Sequence, residues 1–446
     1  MSSSKKKILP ALLLVLALFT SACVGGAEQG VSSSNAATAD SVDNIQVPRG
    51  TQVNFWHIQA TIYGDAIKEM VKQFNETNEW GIIVNESFKG SYDQLNQAIR
   101  ASLVGGGAPN VAMAYENDTL EYSKAGEIVA LDPYLASKKY GVNPAEMADV
   151  FPGVLARQRV EAYAGKTLSW PHGNSSQGLY YNADLFAKAG VAAPPTNWDE
   201  FVAQARKMKE ATGVAYSAFG TAKNGTYYNI LRSKGVTPFD PKARTTNFNS
   251  PESIRSLELL AQLYNEKLVF TAADTEQEFT SQRAATEIST TARTVTKINQ
   301  IGSGFKWSVA LTPQDTAKPV TQLYGGNHVI LDSRDPQQNM ASWLFMRWFA
   351  GKDAQSIYAA RTGYSPAVKS AFDTPLLSAD YKANPQKADV FKNVFPYASI
   401  LPPTASGNAI DTMVSKTVEE VVLGRLAPKD AAQRMDTEAT ALLKSS

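Results

Sequence analysis

Three histidines occur in the 446 residues, and each closes a short run at the edge of a strand-like segment: His57 in NFWH, His172 in SWPH and His328 in GGNH. Imidazoles meeting from three such junctions could hold zinc, which takes about three or four N, S or O ligands at roughly 2 Å. No paired H-x-x-H and no acidic cluster accompanies them, so separate polar or packing roles, and no metal, are expected. Ser175 stands three residues beyond His172, but a catalytic triad is defined by spatial roles and not by closeness in sequence. Neither GxSxG nor HExxH occurs. AYAGKT, Ala162–Thr167, ends like a phosphate-binding loop, yet Val160 stands where that loop needs its first glycine. IGSGF, Ile301–Phe305, holds two of the three glycines of a dinucleotide fingerprint and follows no convincing first strand. A surface hydrolase built on His172 and Ser175 is the remaining enzymatic alternative. No cofactor is expected.

A second pattern points to binding. Trp56, Tyr92, Tyr115, Trp170, Tyr227, Tyr228, Tyr324 and Tyr364 fall at or near expected strand ends and loops. Polar groups stand beside them: Glu116, Asn117, Asp118, Asn174, Ser175, Arg293 and Asn327. Aromatic faces stack on the C–H faces of sugar rings, while carboxylates, amides and guanidinium groups hydrogen-bond hydroxyls. In open α/β sheets ligands bind beyond the carboxyl ends of strands. For each aromatic alone, core packing is an equal reading; the recurrence at strand ends carries the argument.

The elements that would position these residues follow from periodicity. Val53, Phe55 and His57 alternate with Asn54 and Trp56 in a first strand. Ile67, Met70, Val71 and Phe74 then recur at helical spacing. A strand over Ile82–Lys89, a helix over Tyr92–Val104 stopped by Gly105–Gly107, and a strand over Val111–Glu116 complete a βαβ pattern, which implies a parallel α/β sheet. Thr196-Asn197-Trp198-Asp199 has the shape of a capping box opening a helix through Met208. Ser250-Pro251-Glu252 starts another helix. Lys318–Leu331 reads as a strand interrupted by a double glycine, Met340–Phe349 as a core helix, and Asp411–Leu443 as the last helix.

At this length two lobes are the default. A net charge of +1, with no basic stripe, excludes a nucleic-acid footprint. The single cysteine, Cys23, rules out an internal disulfide. Lys5-Lys6-Lys7, the apolar run Ile8–Phe19 and the small residues Thr20-Ser21-Ala22 before Cys23 form an export leader too short to span a bilayer. The run resembles a bacterial lipobox, with Thr20 where leucine is usual. It implies a signal peptide over 1–22, lipidation at Cys23 and a tether over 23–47, rich in glycine, serine and alanine at its start. Loss of the three leader lysines leaves a net charge of −2. The expected location is the outer face of the cell membrane or the periplasm.

Several segments, in order, resemble the extracellular solute-binding proteins of family 1, receptors of ABC importers for sugars and glycerol phosphates. They are NFWH (Asn54–His57), FKGSYDQ (Phe88–Gln94), GGGAPNVAMAYE (Gly105–Glu116), AYAGKTLSWP (Ala162–Pro171), NSSQGLYYNADLFAKAG (Asn174–Gly190), PPTNWDEF (Pro194–Phe201), YGGNHVI (Tyr324–Ile330) and RTGYSPAVKSAFD (Arg361–Asp373). The likeness implies an α/β periplasmic-binding-protein fold with two lobes, a hinge and an interlobe ligand cleft. It places 48–168 plus 321–361 in one lobe and 169–320 plus 362–446 in the other. It implies that Tyr92 stacks on or bonds the ligand, that Glu116 accepts from its hydroxyls and that Ser175 donates to them. It further implies that Gly326 lets backbone approach and that Tyr364 closes over the top. Asn174, Tyr227, Arg293 and Asn327 complete the expected site. The glycerol-phosphate receptors carry an arginine where this chain has Ala405-Ser406-Gly407-Asn408, and their Trp-x-x-Trp has no counterpart near Asn224–Tyr228. The resemblance therefore implies a carbohydrate or polyol ligand, with a glycerol-3-phosphate or glycerophosphodiester receptor as the alternative. It also implies separate permease and ATPase partners and a monomer. A structural or adhesive lipoprotein with an emptied cleft is the third reading.

Overall fold

The computed structural model describes residues 38–445. Cys23 and the leader lie outside them. The tether expectation fails at its end: Thr38 caps a short helix, Ala39–Asp43, in a reciprocal capping box with Ser41, and Val42 is fully buried. Ser137 Oγ donates to Asp43 at 2.5 Å, fixing this segment on the body.

Two sheets organise the chain. The first contains β1 (Gln52–His57), β2 (Ile83–Phe88), β3 (Val111–Ala114), β4 (Trp170–Pro171) and, far along the chain, β13 (Asn327–Ile330). Its order is β2-β1-β3-β13-β4, with β1 parallel to β2 and β3, and β13 antiparallel to β3 and β4. The second is built on β5 (Ser175–Asn182) with β6 (Ala215–Phe219), β9 (Val269–Thr271), β10 (Ala284–Thr290), β11 (Trp307–Ala310), β12 (Thr321–Tyr324) and β14 (Ala398–Ser399). Its order is β14-β12-β5-β10-β6-β9, and β11 also pairs with β5. A small hairpin, β7 (Phe239–Asp240) with β8 (Thr245–Thr246), stands apart.

Local sequence explains most of these elements. In β1, Val53, Phe55 and His57 are buried while Gln52 and Asn54 are exposed, the period-two pattern of a strand. The helix Tyr92–Gly105 begins with a capping box between Ser91 and Gln94 and ends where Gly106 takes φ 86°. The helix Pro336–Phe349 buries Met340, Trp343, Phe345 and Phe349 beneath the first sheet's strands. Each sheet has its own apolar core, one around Phe55, Phe74 and Trp343, the other around Trp198, Phe201 and Leu257.

Several expectations need correction. The segment 318–331 is two strands in two different sheets, because the chain crosses between them at Gly325-Gly326. Gly325 adopts φ 95°, and a Cβ there would run into the Gly173 carbonyl, so glycine is required on both counts. For the same reason the lobe boundaries shift: Trp170–Pro171 belongs to the first sheet and Thr321–Tyr324 to the second. The final helix is two, Gly407–Val422 and Pro428–Ser445, separated by a turn in which Gly424 takes φ 68°. The N-cap near Pro195 is Asn197, which accepts from the Glu200 N–H, and Glu200 in turn accepts from Thr196. The strand that reaches towards Glu116 stops at Ala114, and Glu116 opens the helix Glu116–Lys124.

Candidate functional site

A cleft of about 710 Å³ lies between the strand ends of the two sheets. From the first sheet, Gln59 follows β1, Tyr63 stands on the helix Thr61–Thr77, and Tyr115 follows β3. From the second, Ser175 and Gln177 project from β5, and Thr290 and Arg293 from the end of β10. Tyr324 and Tyr364 come from segments that pass between the sheets.

Four expected residues are on this lining. Tyr92 packs its ring against Tyr115 with centroids 4.1 Å apart, and its buried Oη has no hydrogen-bond partner among the described residues. Ser175 Oγ lies 2.9 Å from Thr290 Oγ1. Tyr364 stacks on Tyr358 at 5.2 Å and accepts from Gln59 Nε2 at 3.3 Å. Arg293 is half exposed, with Nη1 3.0 Å from Glu276. Glu276 also accepts from the fully buried Lys297 Nζ at 3.3 Å. Lys297 Nζ lies 2.8 Å from Glu287 Oε2, an ion pair between two fully buried side chains.

The others sit behind the lining or away from it. Glu116 accepts from Arg157 Nε and from Asn327 Nδ2, the latter at 3.0 Å, so its carboxylate serves a buried network and not the cleft. Asn327 completes that network by accepting from Gln158 Nε2 at 2.8 Å. Arg157 also donates to the Tyr324 and Gly325 carbonyls at the crossing. Gly326 leaves room for the Tyr92 hydroxyl: a Cβ there would overlap Tyr92 Oη. Asn174 is 1% exposed and pairs through its backbone with Ser365. Tyr227 is in the second core, its Oη 2.6 Å from Ser253 Oγ, because the helical turn that points Asn224 to Thr226 at the cleft turns Tyr227 inward.

Gln59, Tyr63, Gln177 and Thr290 escaped the sequence reading. Gln177 had a usable signal, since Ser175 and Gln177 share a face of one strand by period two. Tyr63 had none; it reads as one more core position on an amphipathic helix.

Several hydrogen bonds among the described residues join the two sides of the cleft, three of them as follows. Tyr63 Oη donates to the Ala292 carbonyl at 3.0 Å, the Thr404 N–H to Asn117 Oδ1 at 3.0 Å, and Asn408 Nδ2 to Asp118 Oδ1 at 2.9 Å.

Two histidines do meet. His172 Nδ1 lies 2.8 Å from His328 Nε2, and His172 Nε2 lies 3.0 Å from Tyr358 Oη. His57 is apart, bonded to Glu86 at 2.6 Å. Among the described residues no group of three His, Cys, Asp or Glu side chains is arranged for a metal. His172 does not bond Ser175, whose hydroxyl is engaged with Thr290, so no serine–histidine nucleophile is assembled.

Burial pushes the His328 imidazolium down to about 3 and His172 well below its ordinary range. Both are neutral in the folded state at pH 7. An unfolded chain takes up protons near pH 6.5 that the folded pair refuses, so stability falls as pH drops from about 6.5 towards 3. Asp118 and Asp411, pushed up by burial to about 6, act in the opposite sense between about pH 6 and 3.8. The expected result is that His328→Gln loses less melting temperature than the parent between pH 7 and pH 5. Equal losses in calorimetry would sink this account.

A larger concavity of about 880 Å³ lies between Lys124, Glu161, Lys242 and Pro402. None of the described buried polar atoms that lack a partner belongs to its lining, so the cleft at the strand ends is the better candidate.

Comparison with known proteins agrees with this architecture. A family model described as bacterial extracellular solute-binding protein matches residues 69–389. The chain is 25% identical over 438 residues to the sn-glycerol-3-phosphate-binding periplasmic protein UgpB of Pectobacterium atrosepticum, covering 93% of this chain and 96% of that one. It is 27% identical over 403 residues to the UgpB of Salmonella typhimurium, covering 85% and 90%. Among solved structures, UgpB from Mycobacterium tuberculosis in complex with glycerophosphocholine superimposes with a TM-score of 0.78 at 18% identity, over 89% of this chain and 99% of that one. The GacH receptor of Streptomyces glaucescens, solved unliganded and with acarbose, gives 0.76 at 20% identity, over 89% and 99%. The two-lobed fold, its cleft and the family match converge: the chain belongs to the bacterial extracellular solute-binding proteins, the receptor subunits of ABC importers.

Proposed function

We propose that the cleft captures a carbohydrate or polyol-type solute outside the membrane and delivers it, unaltered, to the permease and ATPase subunits of an importer. One observation carries the reading. The cleft combines five tyrosines with buried polar atoms, Tyr92 Oη and Gln177 Oε1, that have no partner among the described residues. A buried polar group left unpaired costs about 1–3 kcal/mol, so a ligand hydroxyl that pairs with it is favoured. The aromatic walls suit the apolar faces of sugar rings. The likeness to UgpB proteins favours a glycerol-phosphate ligand as the second reading, and the likeness to an acarbose receptor favours a sugar. On this reading Cys23 carries a lipid that holds a monomeric receptor at the outer face of the membrane, and the cleft performs no catalysis.

The test is a thermal-shift screen of the purified protein against sugars, oligosaccharides, polyols, glycerol-3-phosphate and glycerophosphodiesters. A true ligand at 1,000 times its Kd adds about 4 kcal/mol of stability and raises the melting temperature by several degrees. Recovery of the ligand unchanged after incubation completes the expected result. A chemically altered ligand would overturn the receptor reading in favour of an enzyme, and a melt that no member of the panel shifts would count against solute capture.

A further inference from the structure

The loop from β6 into the helix Asn224–Ser233 reads GTAKNGT, Gly220–Thr226, and Gly220, Ala222, Asn224, Gly225 and Thr226 face the cleft. The first N–H groups of any helix lack intrahelical acceptors. Here no side chain caps the end, and the N–H groups of Asn224, Gly225 and Thr226 have no acceptor among the described residues. The Asn224 side chain is engaged with Asp411, which also accepts from Tyr228 Oη at 2.9 Å. Beneath the loop, Lys223 is 3% exposed. Its ammonium donates to the Gly220 carbonyl at 2.5 Å, to Thr271 Oγ1 at 2.8 Å and to Tyr264 Oη at 3.1 Å, all neutral oxygens. A buried lysine with no direct ion pair among the described residues, on which Glu419 acts only through space, thus adjoins a row of free backbone donors.

Gln177 supplies an independent observation. It is 5% exposed, it faces the cleft, and its buried Oε1 has no hydrogen-bond partner among the described residues. Strand register places it on the side of the sheet covered by this helix. Gln177 is opposite Thr290 and Ser175 opposite Tyr324. Gln322, two residues before Tyr324 and on its face, accepts from Arg232 in the third turn of the same helix at 2.5 Å. A methyl group on Gly225 would come 3.4 Å from Tyr324 Oη, so the helix start and the Ser175–Gln177–Tyr324 face border one space. Arg293, the obvious cation of the cleft, is already paired with Glu276.

We propose that the first turn of the helix Asn224–Ser233 is a subsite for an anionic group, a phosphate or a carboxylate, borne by the captured polyhydroxy solute, with Gln177 accepting from a neighbouring hydroxyl. The helix dipole and free N–H groups favour negative charge at this position. Gly225 keeps the approach to its backbone open. The inference rests on the solute-capture reading above.

Calorimetric titration tests it with matched probes: glycerol, glycerol 3-phosphate and glycerate, and glucose with glucose 6-phosphate. The expected result is tighter binding of an anionic member than of its neutral parent, by about tenfold or more. Glycerol 3-phosphate set against glycerate distinguishes a phosphate from a carboxylate preference. Gly225→Asp should remove that advantage, whereas Gly225→Asn, of similar bulk, should weaken both members alike. The unliganded Gly225→Asp protein should melt no lower than Gly225→Asn, because a carboxylate suits a helix N-terminus. Equal losses with Asp and Asn overturn the subsite. So does an anion preference abolished by Arg293→Ala and untouched by Gly225→Asp. Tight binding of the neutral members alone leaves solute capture standing and this subsite refuted; if neither class binds, the solute-capture reading falls as well.

Discussion

Arg157→Met is expected to lower the unfolding free energy by about 3–5 kcal/mol, the usual cost of stranding one member of a buried ion pair. The Arg157 side chain is 1% exposed. Its guanidinium joins the Glu116 carboxylate to two carbonyls, Tyr324 and Gly325, where the chain passes from one sheet to the other. Methionine replaces the volume and none of the donors. Glu116 keeps only the Asn327 amide, and the two carbonyls lose a charge-assisted partner. Urea unfolding should show the loss directly. The added substitution Glu116→Gln should recover a large part of it, because a neutral amide requires no counter-charge. A double variant no more stable than the single one would show that the cost is lost packing and not the orphaned carboxylate.

Lys297→Met should be comparably damaging, about 3–5 kcal/mol. Here one cation separates two buried carboxylates, Glu276 and Glu287. With the ammonium gone, Glu287 loses its cation and Glu276 keeps Arg293. Chemical unfolding reads out the loss. Adding Glu287→Gln should recover a large part of it, because a neutral amide requires no counter-charge. A double variant no more stable than the single one would count against the orphaned-carboxylate explanation. The loss should also reach the cleft, since Glu276 is the group that holds Arg293. Affinity for any ligand that Arg293 touches should fall in the surviving folded protein.

Much of the frame was legible because local rules determine it. The alternation in β1, the Ser91–Gln94 capping box and the apolar helix Pro336–Phe349 depend on residues within a few positions of one another. The site was legible in part. Tyr92, Ser175 and Tyr364 were expected at the cleft by motif and Arg293 as a departure from the family pattern, and all four line it. Glu116 and Asn327 carry the same motifs but are retained by Arg157 and Gln158, partners 41 and 169 residues away, and no spacing rule finds such pairs. The double glycine at 325–326 was visible, yet strand periodicity alone does not say that its two flanking strands join different sheets. Tyr227 failed for a helical reason: beside three residues that face the cleft, it is one step of about 100° further round.

The hydrogen bonds that join the two sides of the cleft, among them those at Ala292, Asn117 and Asp118, bear on kinetics. At a net strength of about 1 kcal/mol each, these three bias the opening equilibrium by about 3 kcal/mol, or roughly a hundredfold. A solute can enter only an open molecule, so the capture rate is the encounter rate multiplied by the open fraction. The same bonds delay escape once the solute is inside. Slow entry matched by slow exit suits a scavenger in a dilute medium, where residence until the next meeting with a permease matters more than rapid turnover of bound solute.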